Sequence, residues 1–140
     1  MTADPRSVEL AVRAGRAAAD KKARQVIALD VSERLVLTDV FVVTSGASER
    51  QVRAIVDAVD EAMHDEGVKA LRKEGVAESR WVLLDYGDIV VHVQHDEDRE
   101  FYALERLWKD CPAVEMPEDV VTAAGPDEPG DEGETWADRG

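Results

Sequence analysis

Asp85 and Asp88 are two carboxylates three residues apart around Gly87, and such a pair could hold a divalent cation for phosphoryl chemistry. Close by stand His92 and His95, followed by Asp96 and Asp98, all donor types that can ligate a metal. Ser45-Gly46-Ala47-Ser48 leads from an apolar run into a helix start, a geometry that can hold an anion on backbone N–H groups. Each feature also has a plainer explanation. A hairpin end is solvated, and no basic residue adjoins the two acids in sequence, so they fit an interface better than a metal site. His92 and His95 straddle the end of a strand, where residues i and i+3 point apart, so a surface imidazole and a helix cap account for them. Ser48 and Gln51 have the spacing of a capping box, which makes the third feature a turn and cap. Neither a Gly-x-Ser-x-Gly nucleophile elbow nor a Gly-rich phosphate loop is present. No catalytic residue, cofactor or metal is expected.

The elements that must position these residues alternate between helix and strand. Asp4-Pro5 reads as an N-cap followed by proline at the first helical position, and a small apolar face of Ala and Gly predicts a helix over 5–23. Residues 26–31 form a short strand candidate, and 37–45 a stronger one rich in β-branched residues and Phe41. Ser48 opens the clearest helix, with Val52, Ile55, Val56, Val59, Ala62 and Met63 on one stripe and Gly67 at its stop. Residues 68–74 read as a charged edge strand, 81–85 and 88–94 as two strands joined at Gly87, and 96–98 as the cap of a last helix. The order α-β-β-α-β-β-β-α predicts an α/β fold, a mixed sheet in a two-layer sandwich with helices against it.

The hairpin is the informative element. A two-residue loop, at either Tyr86-Gly87 or Gly87-Asp88, gives one and the same assignment of faces, because side chains alternate along each strand. Val82, Leu84, Ile89, Val91 and Val93 share an apolar core face with Tyr86 at its end. The opposite face collects Trp81, Leu83, Asp85, Asp88, Val90, His92 and Gln94. An apolar centre with acids at one end suits a protein-binding patch, and it also suits a face covered by a helix of the same chain.

The chain has 140 residues, of which 44% are hydrophobic, enough for one core. Its 31 acidic and 17 basic residues give a net charge of −14, which argues against a general nucleic-acid binder and against docking on an anionic membrane. No run of apolar residues could span a bilayer, the first 20 residues lack a signal-peptide core, and the lone Cys111 fits a reducing, cytoplasmic setting. Charge is uneven: residues 1–24 hold six basic and three acidic residues, whereas 111–140 hold one basic and nine acidic. This places a folded domain at 1–113 and an acidic, disordered tail at 114–140. Trp136 in that tail is either a stray aromatic or part of a short docking motif.

Several segments together resemble the ribosomal silencing factor, or Iojap, family. They are Lys21-Lys22-Ala23, Leu29-Asp30-Val31-Ser32, Thr38 to Gly46, Ser48-x-Arg50-Gln51-Val52, Glu74-Gly75, Trp81 to His92, and Arg99-Glu100-Phe101-Tyr102-x-Leu104-Glu105-x-Leu107-Trp108. The resemblance covers about residues 10–110 and departs at Gln94, where an apolar residue is usual. It implies a nucleotidyltransferase-like fold without catalytic residues. It further implies a translational repressor that binds large-subunit ribosomal protein fourteen, blocks joining of the small subunit under nutrient limitation, and in some members forms homodimers. On that basis Trp81, Leu83 and Val90 would supply apolar contact, Tyr86 and Tyr102 aromatic contact with a polar handle, and Asp85, Asp88 and Glu105 ion pairs to a basic partner, with His92 on the same face. Two alternatives remain: a divergent metal-dependent nucleotidyltransferase using Asp85 and Asp88, and a homodimer that pairs the same hairpin face with its own copy.

Overall fold

The computed structural model describes residues 3–102, 110–118 and 120. Helix α1 spans Pro5–Asp20, strand β1 Arg24–Asp30, β2 Val40–Gly46, helix α2 Glu49–Asp65, β3 Arg72–Glu74, β4 Trp81–Asp85, β5 Ile89–His95, α3 Asp96–Tyr102 and β6 Ala113–Val114. The strands form one mixed sheet in the order β3-β4-β5-β2-β1-β6. The central β2–β5 pair is parallel and every other pairing is antiparallel. A parallel pair requires a crossover, and the chain between β2 and β5 carries α2. Among the described residues no helix is long and apolar enough to cross a membrane.

Both long helices start as their caps dictate. The Asp4 carboxylate accepts the Arg6 N–H at 2.9 Å with Pro5 at the first turn, and Ser48 Oγ accepts the Gln51 N–H at 3.1 Å. The small residues Ala11, Ala14, Ala17 and Ala18 of α1 are buried, so the helix lies close to its neighbours. Arg6 and Arg13 tie α1 to Glu66, just past the end of α2, at 3.2 and 3.5 Å. The apolar stripes of the two helices cover Val40, Val42, Val82, Leu84, Ile89, Val91 and Val93, which makes one large core on one face of the sheet.

The opposite face is not bare, as a strict two-layer sandwich would leave it. Leu29, Val31, Phe41, Val90 and Cys111 form a second buried cluster there, with Ile27, Leu35 and Leu83 against it. The fold also continues past the expected boundary at 113. Strand β6 pairs Ala113 and Val114 with Leu29 and Ala28, and Met116 and Val120 are buried in the main core. Strand β2 begins three residues later than expected, and Leu37 is 84% exposed in the preceding loop. The acidic segment 121–140, with Trp136, lies outside the described residues.

Two glycines show what the backbone requires beside the hairpin. Gly75, at φ +80°, approaches β4 so closely that an added Cβ would overlap the Trp81 carbonyl oxygen. Gly87, at φ +90°, has only a leucine methyl at ordinary contact distance. Gly75→Ala is therefore expected to destabilise by about 2–4 kcal/mol. Gly87→Ala should cost about 1 kcal/mol, the penalty for the left-handed conformation alone. Urea unfolding of the two variants measures the difference.

Candidate functional site

The β4–β5 hairpin pairs Trp81 with Gln94, Val82 with Val93, Leu83 with His92, Leu84 with Val91 and Asp85 with Val90. Tyr86 N–H donates to the Ile89 carbonyl at 2.9 Å, so Gly87-Asp88 is the two-residue loop. Asp85 Oδ1 accepts the Gly87 N–H at 2.9 Å and closes the turn from its first side. Val82, Leu84, Ile89, Val91 and Val93 all lie in the main core, as the alternation predicts.

Tyr86 follows the same parity and is 6% exposed, which corrects its expected role as a contact at the hairpin tip. Its hydroxyl donates to Asp60 Oδ1 on α2 at 2.8 Å, and Lys73 Nζ donates to Asp60 Oδ2 at 2.7 Å. Burial, then the bond to Asp60, pushes the phenol pKa upward and keeps it a donor. Burial works to raise the Asp60 pKa, but the bonds from Lys73 and Tyr86 outweigh it and hold the carboxyl below its ordinary range. Tyr86 thus anchors the sheet to α2.

The other face divides by strand. Trp81, Leu83 and Asp85 on β4 are partly exposed and Asp88 is exposed, whereas Val90, His92 and Gln94 on β5 are buried. The reason is topological: β5 is flanked by β4 and β2, and the parallel register sets Phe41 beside Val90 and Val43 beside His92. The His92 ring meets Phe41 edge-on, with centroids 5.0 Å apart and planes at 66°. Trp81 Nε1 donates to His92 Nδ1 at 3.3 Å, which fixes the indole against the sheet and puts the imidazole proton on Nε2. His92 Nε2 and the Gln94 amide are buried with no hydrogen-bond partner among the described residues. Desolvation lowers the His92 pKa to about 4. His92 is therefore a neutral support beneath Trp81 and not a surface contact. Val90 likewise belongs to the second core cluster.

The remaining candidates separate. His95 Nδ1 accepts the Glu97 N–H at 3.2 Å, and Asp98 and Glu97 bind Arg80 at 2.7 and 3.2 Å, so this group does not converge with His92. Among the described residues no group of three or more His, Cys, Asp or Glu side chains could hold a metal ion. Asp85 has a basic neighbour that the sequence did not suggest: Arg72 Nη2 is 3.8 Å from Asp85 Oδ2, across the β3–β4 pairing. Tyr102 ends α3, and its side chain and all of Glu105 lie outside the described residues. Sequence reasoning also passed over Leu71, 74% exposed, whose N–H donates to the Asp85 carbonyl at 2.7 Å and whose methyl lies against Gly87. The loop carrying Val36 and Leu37 is tied to the same tip by Asp39 N–H to Asp88 O at 2.8 Å. Leu71 thus lies beside the acids, and Val36 and Leu37 stand exposed on a loop bonded to the same tip.

A mixed α/β domain of this layout is found in solved structures. The chain superposes on a crystal structure from Chromobacterium violaceum with a TM-score of 0.70 and 37% identity, over 72% of this chain and 84% of that one. The family model described as "Ribosomal silencing factor during starvation" matches residues 4–138, further than the motifs at 10–110 reach. A protein named ribosomal silencing factor RsfS from Halalkalibacterium halodurans is 44% identical over 77% of this chain and 92% of its own length. Another of that name, from Bacillus subtilis, is 39% identical over 74% and 87%. The chain belongs to the ribosomal silencing factor family.

Two outcomes test the buried part of the site. Tyr86→Phe should lower stability by about 1–2 kcal/mol in urea unfolding, because it strips one bond from the buried Asp60. An exposed contact residue would leave stability unchanged. For His92, the unfolded chain binds a proton near pH 6.5 and the folded chain only near pH 4, so stability is complete above 6.5 and falls as the pH drops between those values. The loss should reach about 3 kcal/mol by pH 4, and His92→Phe should flatten that part of the profile.

Proposed function

We propose that this chain acts in the cytoplasm as a ribosomal silencing factor, docking the outer face of β4 and the hairpin tip onto the large subunit. The partner there is a basic protein, large-subunit ribosomal protein fourteen, and an occupied site blocks joining of the small subunit when nutrients fall. The observation that carries this reading is that Trp81 and Leu83 stay partly exposed beside Asp85 and Asp88 while Val90, His92 and Gln94 on the next strand are buried. A fixed indole gives up little rotational freedom on binding, and truncating such an anchor at an interface costs about 2–4 kcal/mol. Asp88 is an exposed rim charge that steers the tip toward cations.

The fold is read as nucleotidyltransferase-like but spent on binding. The turn where such an enzyme would cradle phosphate is occupied by the chain's own groups: Ala47 N–H donates to Gln51 Oε1 at 2.7 Å and Gln51 N–H to Ser48 Oγ at 3.1 Å. Asp85 is held by Gly87 and Arg72. No cofactor enters the mechanism, which is mass action at a shared surface.

Retention on purified large subunits tests the reading. Wild-type chain should co-sediment with them, and the Trp81→Ala, Asp88→Lys double variant should not; equal retention of both removes the assigned surface. Light scattering on the same samples reads self-pairing: a homodimer through this face should dissociate as large subunits are added.

A further inference from the structure

The second buried cluster has an open rim. Leu29, Val31, Phe41 and Val90 fill it, and Leu83, Ile27 and Leu35 pack against it while staying partly exposed. Leu83 lies on β4, and Leu35 lies in the loop between β1 and β2, yet both rest on the same buried side chains. Apolar surface therefore runs unbroken from the face that carries Trp81 to this loop. Past Leu35 the loop bends at Val36, 97% exposed, and Leu37, 84% exposed. Among the described residues these are the two most exposed large apolar side chains. Bends are ordinarily built from Gly, Pro, Asn, Asp and Ser, and this one sets two adjacent aliphatic side chains in water.

The loop is held from three sides. Arg34 N–H and Leu35 N–H both donate to the Val31 carbonyl at 2.9 Å, and the Arg34 guanidinium pairs with Asp110 at 3.6 Å. Asp39 Oδ2 accepts the Ser7 hydroxyl at 2.8 Å and the Asp4 N–H at 3.1 Å, which fixes the loop to the start of α1. Asp39 N–H and Val40 N–H both donate to the Asp88 carbonyl, at 2.8 and 3.2 Å, which fixes it to the hairpin tip. A segment ordered in advance gives up little freedom when a partner covers it.

We propose that Leu35, Val36 and Leu37 form the second anchor of the docking surface, covered by an apolar patch of a basic protein. The inference rests on the large-subunit docking reading and extends its contact from Trp81 and Leu83 across the second cluster to the loop. Charge selects the occupant. The Asp88 carbonyl holds the loop, and its carboxylate is exposed with no ion pair among the described residues. A partner seated on Val36 and Leu37 thus meets an unanswered acid at the rim, and Lys or Arg beside an apolar patch fits both. RNA phosphates would be repelled by that acid and offer no aliphatic surface. A second copy would set the same patch on itself across a two-fold axis, which puts Asp88 against a chain of net charge −14.

The test measures Kd of the full chain for isolated large subunits, and separately for the basic ribosomal protein alone, across a salt series. The proteins are the wild type, a Val36→Ser, Leu37→Ser pair, a Val36→Ile, Leu37→Met pair, and Trp81→Ala. Both loop side chains are in solvent, so the serine pair should keep the wild-type thermal midpoint. It should weaken binding to both targets about tenfold to a hundredfold. The factor should be the same at every salt concentration, because no charge has changed. The Ile and Met pair keeps the apolar area and should bind as the wild type does. Wild-type affinity in the serine pair overturns the proposal. Equal loss in both pairs also overturns it, since loop conformation and not apolar contact would be the cause. Light scattering that finds a wild-type dimer, abolished in the serine pair while subunit binding is unchanged, assigns the loop to a second copy and overturns it too. So does loop-dependent binding to naked ribosomal RNA but not to the protein. Loss on Trp81→Ala alone leaves the docking reading standing and removes the loop from it. Loss in the serine pair alone keeps the loop as an anchor and removes the β4 face, and no binding by the wild type removes both.

Discussion

The parallel pairing of β2 with β5 is the constraint on which the rest of the molecule depends. It forces a crossover, and α2 is the long helix of that connection. It puts the two strands at the centre of the sheet, where they are covered from both sides and so carry apolar or fully buried residues on both faces. It also gives the molecule two distinct ends. The hairpin tip and the loop before β2 meet at one, and the start of α2 meets the end of α1 at the other.

The same pairing decides which side of the hairpin is free. Strand β5 loses its outer face to β2 and the second core cluster, and β4, one step nearer the edge, keeps part of its own. His92 sits at the boundary. Its ring closes the core against Phe41 and accepts the Trp81 N–H. A neutral imidazole is required for that bond, and burial keeps it neutral. One side chain thus converts core packing into a fixed orientation for the partly exposed indole. The unpartnered Nε2 and the buried Gln94 amide are the polar cost of this arrangement.

The hairpin was legible in the sequence because its determinants are local. Gly87 set the turn, and alternation from that point gave all five core residues and the parity of Tyr86. What was not legible came from contacts distant in the chain. Tyr86 finds its hydroxyl partner on Asp60, 26 residues away, and so leaves the set of surface contacts. Val90 and His92 are buried by a neighbouring strand that hairpin arithmetic does not contain. Arg72 reaches Asp85 only because the short β3 pairs with β4. The domain boundary drawn at 113 followed charge and proline, yet Met116 and Val120 are apolar residues that the core takes up.

Net charge illustrates the same difference between a sum and an arrangement. A total of −14 argues against nucleic acid when the charges are treated as evenly spread. In the folded chain, though, many of the described cations are paired with acids of neighbouring elements: Arg6 and Arg13 with Glu66, Arg24 with Asp96, Arg72 with Asp85 and Arg80 with Asp98. Asp88, by contrast, is exposed at the hairpin tip with no ion pair among the described residues. The surplus of acid is therefore felt where no cation answers it, and screening over about 8 Å keeps that field local to the tip. What the tip presents to solvent is set by this pairing and not by the total.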